Sequence, residues 1–297
     1  MLLVLTLLGC INPPDVKEEP LSAALLVHEE NPRRKLWLFE LTKDGFVRRE
    51  PHIARDISSL GAVVIDNELL ITGICWWPGC GSEREMKKRN QKGPAIFGIS
   101  TKDLKTWEPR QWRLVDDKGL TPIDPQLSHE KNEMELWYFG AIGQENTDPM
   151  NRDRHEIRRA TLKSDGRFHS QETVLNEPGL ADPSPIRFRG KEWVFATQYA
   201  AESIVAFSGS PLRLSHRFKG ISVPYAMEVN GELWLLATEV NSGRQQPVRA
   251  ISKDGETFSE FKSFLPLGPE QVCASPVGAV LNGKLVVLCV EEPLRPG

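Results

Sequence analysis

Asp124 and Asp182 are the residues of this chain whose types and spacing best suit chemistry. Each precedes a proline, Pro125 or Pro183, and each stands eight residues before the second residue of a hairpin cue, Asn132 or Gly190. Two carboxylates brought to matching positions can be driven apart in pKa and then serve as acid and base. The plainer use of such an aspartate is to bind the backbone N–H groups of its own turn. Both uses are open for this pair.

A second group lies in the long segments between apolar runs: Trp76, Trp77, Arg154, His155, Tyr199 and Arg244. Loops on a rigid scaffold carry function disproportionately. Aromatic faces beside planar charged donors suit sugar rings, so these six are candidate substrate-binding residues. A single charged loop residue needs nothing but solvent, whereas adjacent loop tryptophans need burial or a ligand.

The elements that position these groups repeat. A small turn followed by an apolar run recurs five times, at Asp66-Asn67, Lys131-Asn132, Arg189-Gly190, Asn230-Gly231 and Asn282-Gly283. A second phrase alternates with it, a strand, a Ser/Thr–Asp turn and an aromatic: Leu41 to Phe46, Ile99 to Trp107, Ser164 to Phe168 and Ser252 to Phe258, with a degraded copy at Ser208 to Leu212. Asn-Gly and Asp-Gly suit tight hairpins because they tolerate positive φ. Each pair of phrases supplies four antiparallel strands, and such a period points to an array of repeated units. The expected fold is all-β, a five-bladed β-propeller of four-stranded antiparallel blades. Blades are expected over 57–115, 121–175, 181–221 and 223–265. The fifth joins 272–296 to 21–53, so that N- and C-terminal segments close the ring and hide the open sheet edges. A β-sandwich of similar hairpins is the alternative.

The same spacing aligns the starts of the innermost strands at Ser59, Asp124, Asp182, Val223 and Ser275, four of them followed by proline. A residue before proline is expected to be extended. The aspartates of the second phrase, Asp44, Asp103, Asp165 and Asp254, fall on the opposite face and read as scaffold. The insertions crowd the face that carries Asp124 and Asp182.

Composition narrows the classes. A net charge of −3 over 297 residues makes no electrostatic case for nucleic acid. The six histidines show no ligand spacing, so neither metal nor cofactor is expected. Residues 1–9 read as a secretion signal, with Leu7-Leu8-Gly9-Cys10 resembling a bacterial lipobox. That implies a lipid anchor on Cys10, a tether over 10–20 and a propeller domain over 21–297. The expected place is the bacterial cell envelope, at the outer membrane if there is one, with plain secretion as the alternative. Cys75, Cys80, Cys273 and Cys289 permit two disulfides in three pairings. A local Cys75–Cys80 bridge would stiffen the Trp76-Trp77 loop, and Cys273 and Cys289 flank the last hairpin. Buried free thiols are the alternative for that second pair.

Ile123-Asp124-Pro125, Ala181-Asp182-Pro183-Ser184-Pro185-Ile186 and the turn Ser100 to Glu108 resemble the five-bladed glycoside hydrolases of family 43 and their arabinanase, fructosidase and phosphorylase relatives. The resemblance implies glycoside hydrolysis by three carboxylates, a base, a pKa-tuning aspartate and a glutamic acid. Asp182 matches the tuning aspartate. The base position falls at Ser59, where Asp56 is the nearest carboxylate, and the acid position falls at Val223, where Glu239 at a strand end is the substitute. The expected catalytic set is therefore Asp124, Asp182, Glu239 and Asp56. If it hydrolyses, a carboxyl separation of about 6.5–9.5 Å would predict inversion. The expected ligand is a carbohydrate or glycan. A non-catalytic surface binding or assembly lipoprotein is the competing reading.

Overall fold

The computed structural model describes residues 34–55, 57–75, 95–115, 122–130, 133–141, 155–177, 179–239, 245–268 and 271–291. All its strands lie in antiparallel hairpins. The first group is β1 (Lys35–Thr42) and β2 (Gly45–Arg55). Next come β3 (Ile57–Ile65), β4 (Glu68–Cys75), β5 (Ala95–Thr101) and β6 (Glu108–Val115). They are followed by β7 (Ile123–Glu130), β8 (Glu133–Ala141), β9 (His155–Leu162) and β10 (Arg167–Leu175). Then follow β11 (Leu180–Phe188), β12 (Lys191–Gln198), β13 (Ser203–Ser208) and β14 (Arg213–Lys219). The chain continues through β15 (Ile221–Val229), β16 (Glu232–Glu239), β17 (Gln246–Ser252) and β18 (Lys262–Ser263), and ends in β19 (Cys273–Leu281) and β20 (Lys284–Glu291).

Three sheets have four strands, in the orders β11-β12-β13-β14, β15-β16-β17-β18 and β19-β20-β1-β2. The last joins the two ends of the described chain: β1 pairs with β20 from Lys35↔Glu291 to Glu40↔Val286. The fourth sheet has eight strands, β3-β4-β5-β6-β10-β9-β8-β7. It differs from the two separate units expected over 57–115 and 121–175. Its halves meet where β6 and β10 pair in parallel, from Arg167↔Arg113 to His169↔Val115. The physical cause is packing between the two strands. Leu114 and Phe168 are fully buried there, and Trp112 meets Phe168 edge-on at 6.4 Å, which draws the two outer strands together.

The hairpin cues behave as the residue types dictate. Asp66, Asn67, Arg189, Asn230 and Asn282 all have positive φ, followed at three turns by Gly190, Gly231 and Gly283. The core lies between sheets. Phe195, Ile204, Leu233, Leu235 and Val248, for example, form one cluster from β12, β13, β16 and β17. Trp137 and Trp193 are 1% and 0% exposed.

The aspartates of the second phrase serve the scaffold. Asp103 accepts backbone N–H bonds from Lys105 (2.8 Å) and Thr106 (2.7 Å). Asp254 does the same with Glu256 (2.8 Å) and Thr257 (2.7 Å). Those donors hold both carboxyls down at about 2. The Asp254 turn also packs on its neighbour: a Cβ at Gly255 would lie 2.9 Å from the Trp193 ring.

Candidate functional site

The innermost strand of each unit carries the same irregularity. Ladder register shifts between Ser58 and Gly61, Ile123 and Gln126, Ala181 and Ser184, Ser222 and Tyr225, and Ala274 and Val277. Inside each shift sits one residue with φ between 49° and 52°: Ser59, Asp124, Asp182, Val223 and Ser275. These are the five positions aligned from the turns. Their backbone is not extended, as the following proline had led us to expect. A β-bulge places an unpaired residue there in the left-handed region, and the proline follows where no ladder N–H is needed. Three of these side chains come together: the Ser59 hydroxyl and the Asp182 carboxyl both act on Asp124.

Side chains lock neighbouring bulges together. Thr72 Oγ1 donates to the Pro125 carbonyl (2.6 Å), and Gln126 Nε2 donates to the Leu60 carbonyl (2.6 Å). Only glycine fits between them, since a Cβ at Gly61 would lie 2.5 Å from the Pro125 oxygen. Further round, the Val223 N–H donates to Thr197 Oγ1 (2.8 Å) and the Ser275 N–H to Thr238 Oγ1 (3.1 Å). Tyr225 reaches across, its hydroxyl donating to the Ala62 carbonyl (2.8 Å).

This frame brings Asp124 and Asp182 together. They are 6% and 5% exposed, and their carboxyls lie within hydrogen-bonding reach. Burial pushes the Asp124 carboxyl well above the usual carboxylate range, the charge and hydrogen bond of Asp182 add to the rise, and the Ser59 hydroxyl works against it. Asp182 Oδ2 is buried with no hydrogen-bond partner. Asp182 Oδ2 is thus an unsatisfied buried acceptor beside a carboxyl whose neutral form burial favours.

The other sequence candidates are dispersed. Glu239 ends β16 half-buried, opposite Ile221. Tyr199 opens a single 3-10 turn, Tyr199–Ala201, and packs against the cluster that includes Leu180 and Val194. His155 begins β9 opposite Ala141, but its side chain lies outside the described residues, as do Asp56, Trp76, Trp77, Arg154, Arg244, Cys10 and the Cys75–Cys80 pairing. The insertions that carry them leave from the level of the bulges, because Ile57 pairs with Cys75, Leu180 with Gln198 and Ile221 with Glu239. Cys273 and Cys289 do form a disulfide, with Cα atoms 5.7 Å apart.

Sequence reasoning missed one buried ion pair. Glu156 Oε1 and Arg158 Nη1 are 2.7 Å apart on β9, with side chains 3% and 4% exposed. Arg158 also donates to Ser170 Oγ, which hydrogen-bonds the Tyr138 hydroxyl at 3.1 Å. Their alternation along one strand was the available signal.

No protein-family model matches the chain, and no curated protein matches it in sequence. Solved structures do match in three dimensions. The exo-β-1,3-galactanase of Phanerochaete chrysosporium, crystallised with β-1,3-galactotriose, superposes with a TM-score of 0.55 at 10% identity, over 79% of this chain and 60% of that one. The α-L-arabinanase of Cellvibrio cellulosa complexed with arabinohexaose gives 0.54 at 12%, over 78% and 86%. The α-L-arabinofuranosidase of Clostridium thermocellum gives 0.53 at 16%, over 77% and 80%. The chain spans about three fifths of the galactanase. At such identities the match concerns fold, and the fold is the β-propeller seen in family-43 glycoside hydrolases.

Proposed function

We propose that this chain is a five-bladed propeller that binds a glycan at the head of its channel, with Asp124 and Asp182 as the groups that contact the sugar. The five-blade count takes the eight-stranded sheet as two blades tied at β6 and β10. One observation carries the reading: a buried carboxyl pair at matching bulges, with Asp182 Oδ2 lacking a partner. A buried acceptor without a donor is costly, and a sugar hydroxyl satisfies it. The folds that superpose belong to proteins described with galactotriose and arabinohexaose.

Hydrolysis is the second reading, and the raised Asp124 carboxyl favours it, since a carboxyl pushed above the usual carboxylate range suits a proton donor to a leaving oxygen. It needs a further carboxylate, from Glu239 or Asp56. The position of blade four offers only Val223. The Cys273–Cys289 disulfide accords with an exported protein, in line with the proposed Cys10 lipid anchor and cell-envelope location.

The test is a binding and turnover screen of arabinan- and galactan-type oligosaccharides and p-nitrophenyl glycosides, on wild type, Asp182→Asn and Asp124→Asn. Binding without turnover, weakened in both variants, supports the first reading. Turnover lost in both supports the second. Binding and turnover indifferent to both changes remove the pair from function.

A further inference from the structure

Two of the recurring hairpin turns are Asn-Gly: Asn230-Gly231 between β15 and β16, and Asn282-Gly283 between β19 and β20. They are built alike. Both asparagines have φ 51°, the glycines have φ 78° and 74°, and all of these residues are exposed. Each turn closes a ladder on its flanking pair, Val229↔Glu232 in one and Leu281↔Lys284 in the other. Asparagine before glycine can react with its own backbone. Glycine has no side chain to keep its nitrogen from the asparagine carboxamide, and its backbone moves freely.

One contact separates the two turns. Asn282 Nδ2 donates to the Lys102 carbonyl (2.9 Å), 180 residues away in the turn between β5 and β6. That bond fixes the carboxamide through the nitrogen that would have to leave. Among the described residues the Asn230 carboxamide has no hydrogen-bond partner, so it can rotate toward the Gly231 nitrogen.

We propose that Asn230 is a site of spontaneous deamidation, and that the bond to Lys102 protects Asn282 from the same reaction. The Gly231 nitrogen attacks Asn230 Cγ and the new C–N bond closes a succinimide. The Cγ–Nδ2 bond breaks, and Nδ2 leaves as ammonia with the proton that Gly231 gives up. Water then opens the ring, its hydroxyl going to a carbonyl carbon and its remaining hydrogen to the nitrogen. Opening at Cγ gives aspartate. Opening at the main-chain carbonyl gives isoaspartate, whose backbone is longer than the turn between Val229 and Glu232 was built to hold. Either product adds a carboxylate between Glu228 and Glu232 in the chain. The proposal is independent of the glycan reading.

The test is incubation of the full chain at physiological temperature and mildly alkaline pH. Peptide mass spectrometry follows conversion at each asparagine, and a protein isoaspartyl methyltransferase labels the isoaspartate. In the folded protein Asn230 should convert about fivefold faster than Asn282, the scale of one net hydrogen bond. In urea, where the Lys102 contact is lost, the two should convert at similar rates. Equal rates in the folded protein, faster conversion at Asn282, no conversion at Asn230 while the unfolded chain reacts, or a gap that persists in urea overturns the proposal.

Discussion

Asp124 and Asp182 come together at equivalent bulges, where burial first and the Asp182 charge second raise the Asp124 carboxyl. The two residues occupy equivalent bulges on β7 and β11, both are buried, and the negative charge of one raises the carboxyl of the other. Replacing Asp182 with Asn removes that charge but leaves the burial. The Asp124 carboxyl should then titrate lower than in wild type, yet still above an ordinary aspartate. Carboxyl ¹³C NMR across the pH range reads this directly, and an unchanged midpoint would contradict the coupling.

The same groups set opposite trends in stability with pH. A carboxyl raised in the folded state favours folding while protonated, so the Asp124 contribution is lost as pH rises through its folded pKa. Asp103 and Asp254, held at about 2, act in reverse: their contribution is complete above the unfolded value near 3.8 and lost as pH falls toward 2. Asp124→Asn should therefore be more stable than wild type at neutral pH and gain little at pH 3. The double variant Asp103→Asn/Asp254→Asn should lose part of the acid-side dependence below pH 4, the lowered carboxyls of Glu40, Glu68 and Asp165 keeping the rest. Urea titrations at several pH values check both.

Ser275 sits at φ 52° with its N–H on Thr238. Left-handed backbone costs a non-glycine residue about 1–2 kcal/mol, most for a β-branched one. Ser275→Val should lower stability by about 1 kcal/mol, while Ser275→Asn should be near neutral, because asparagine tolerates this region. Thermal denaturation separates them by about 2–4 °C.

The disulfide between Cys273 and Cys289 spans a sequence separation of 16 and ties β19 to β20, the strand that pairs with β1. Closing a loop of this size contributes about 3 kcal/mol in the chain-entropy account. Cys273→Ala/Cys289→Ala should lose about 2–4 kcal/mol in denaturant titration. A loss below about 0.5 kcal/mol would show that the β19–β20 ladder already supplies this constraint.

Replacing Glu156 removes a charge-assisted hydrogen bond from a buried site. Glu156→Gln should cost about 1.5–3 kcal/mol. The paired replacement Glu156→Gln/Arg158→Met should recover much of that loss, which a double-mutant cycle measures.

The hairpins were legible because their causes are local. Asn230-Gly231 and Asn282-Gly283 suit a tight turn through their own backbone freedom, and the apolar runs after them alternate with the strand period. The alignment of Ser59, Asp124, Asp182, Val223 and Ser275 followed from counting back along strands of equal length. Their left-handed conformation did not, because a bulge arises from pairing two strands, and X-Pro preference speaks only for the isolated dipeptide. The β6–β10 pairing was hidden for a similar reason: it rests on Leu114, Trp112 and Phe168 meeting from different parts of the chain.

By itself, then, the sequence determined the repeat, the turns and which side chains share one level of the channel. Only the tertiary structure decided that Asp124 and Asp182 come close enough to interact. It also decided that Cys273 meets Cys289 and that the Tyr225 hydroxyl reaches the Ala62 carbonyl. Period and turn chemistry are properties of neighbouring residues, whereas a carboxyl contact depends on how far adjacent sheets approach, which Gly61, Thr72 and Gln126 settle through packing.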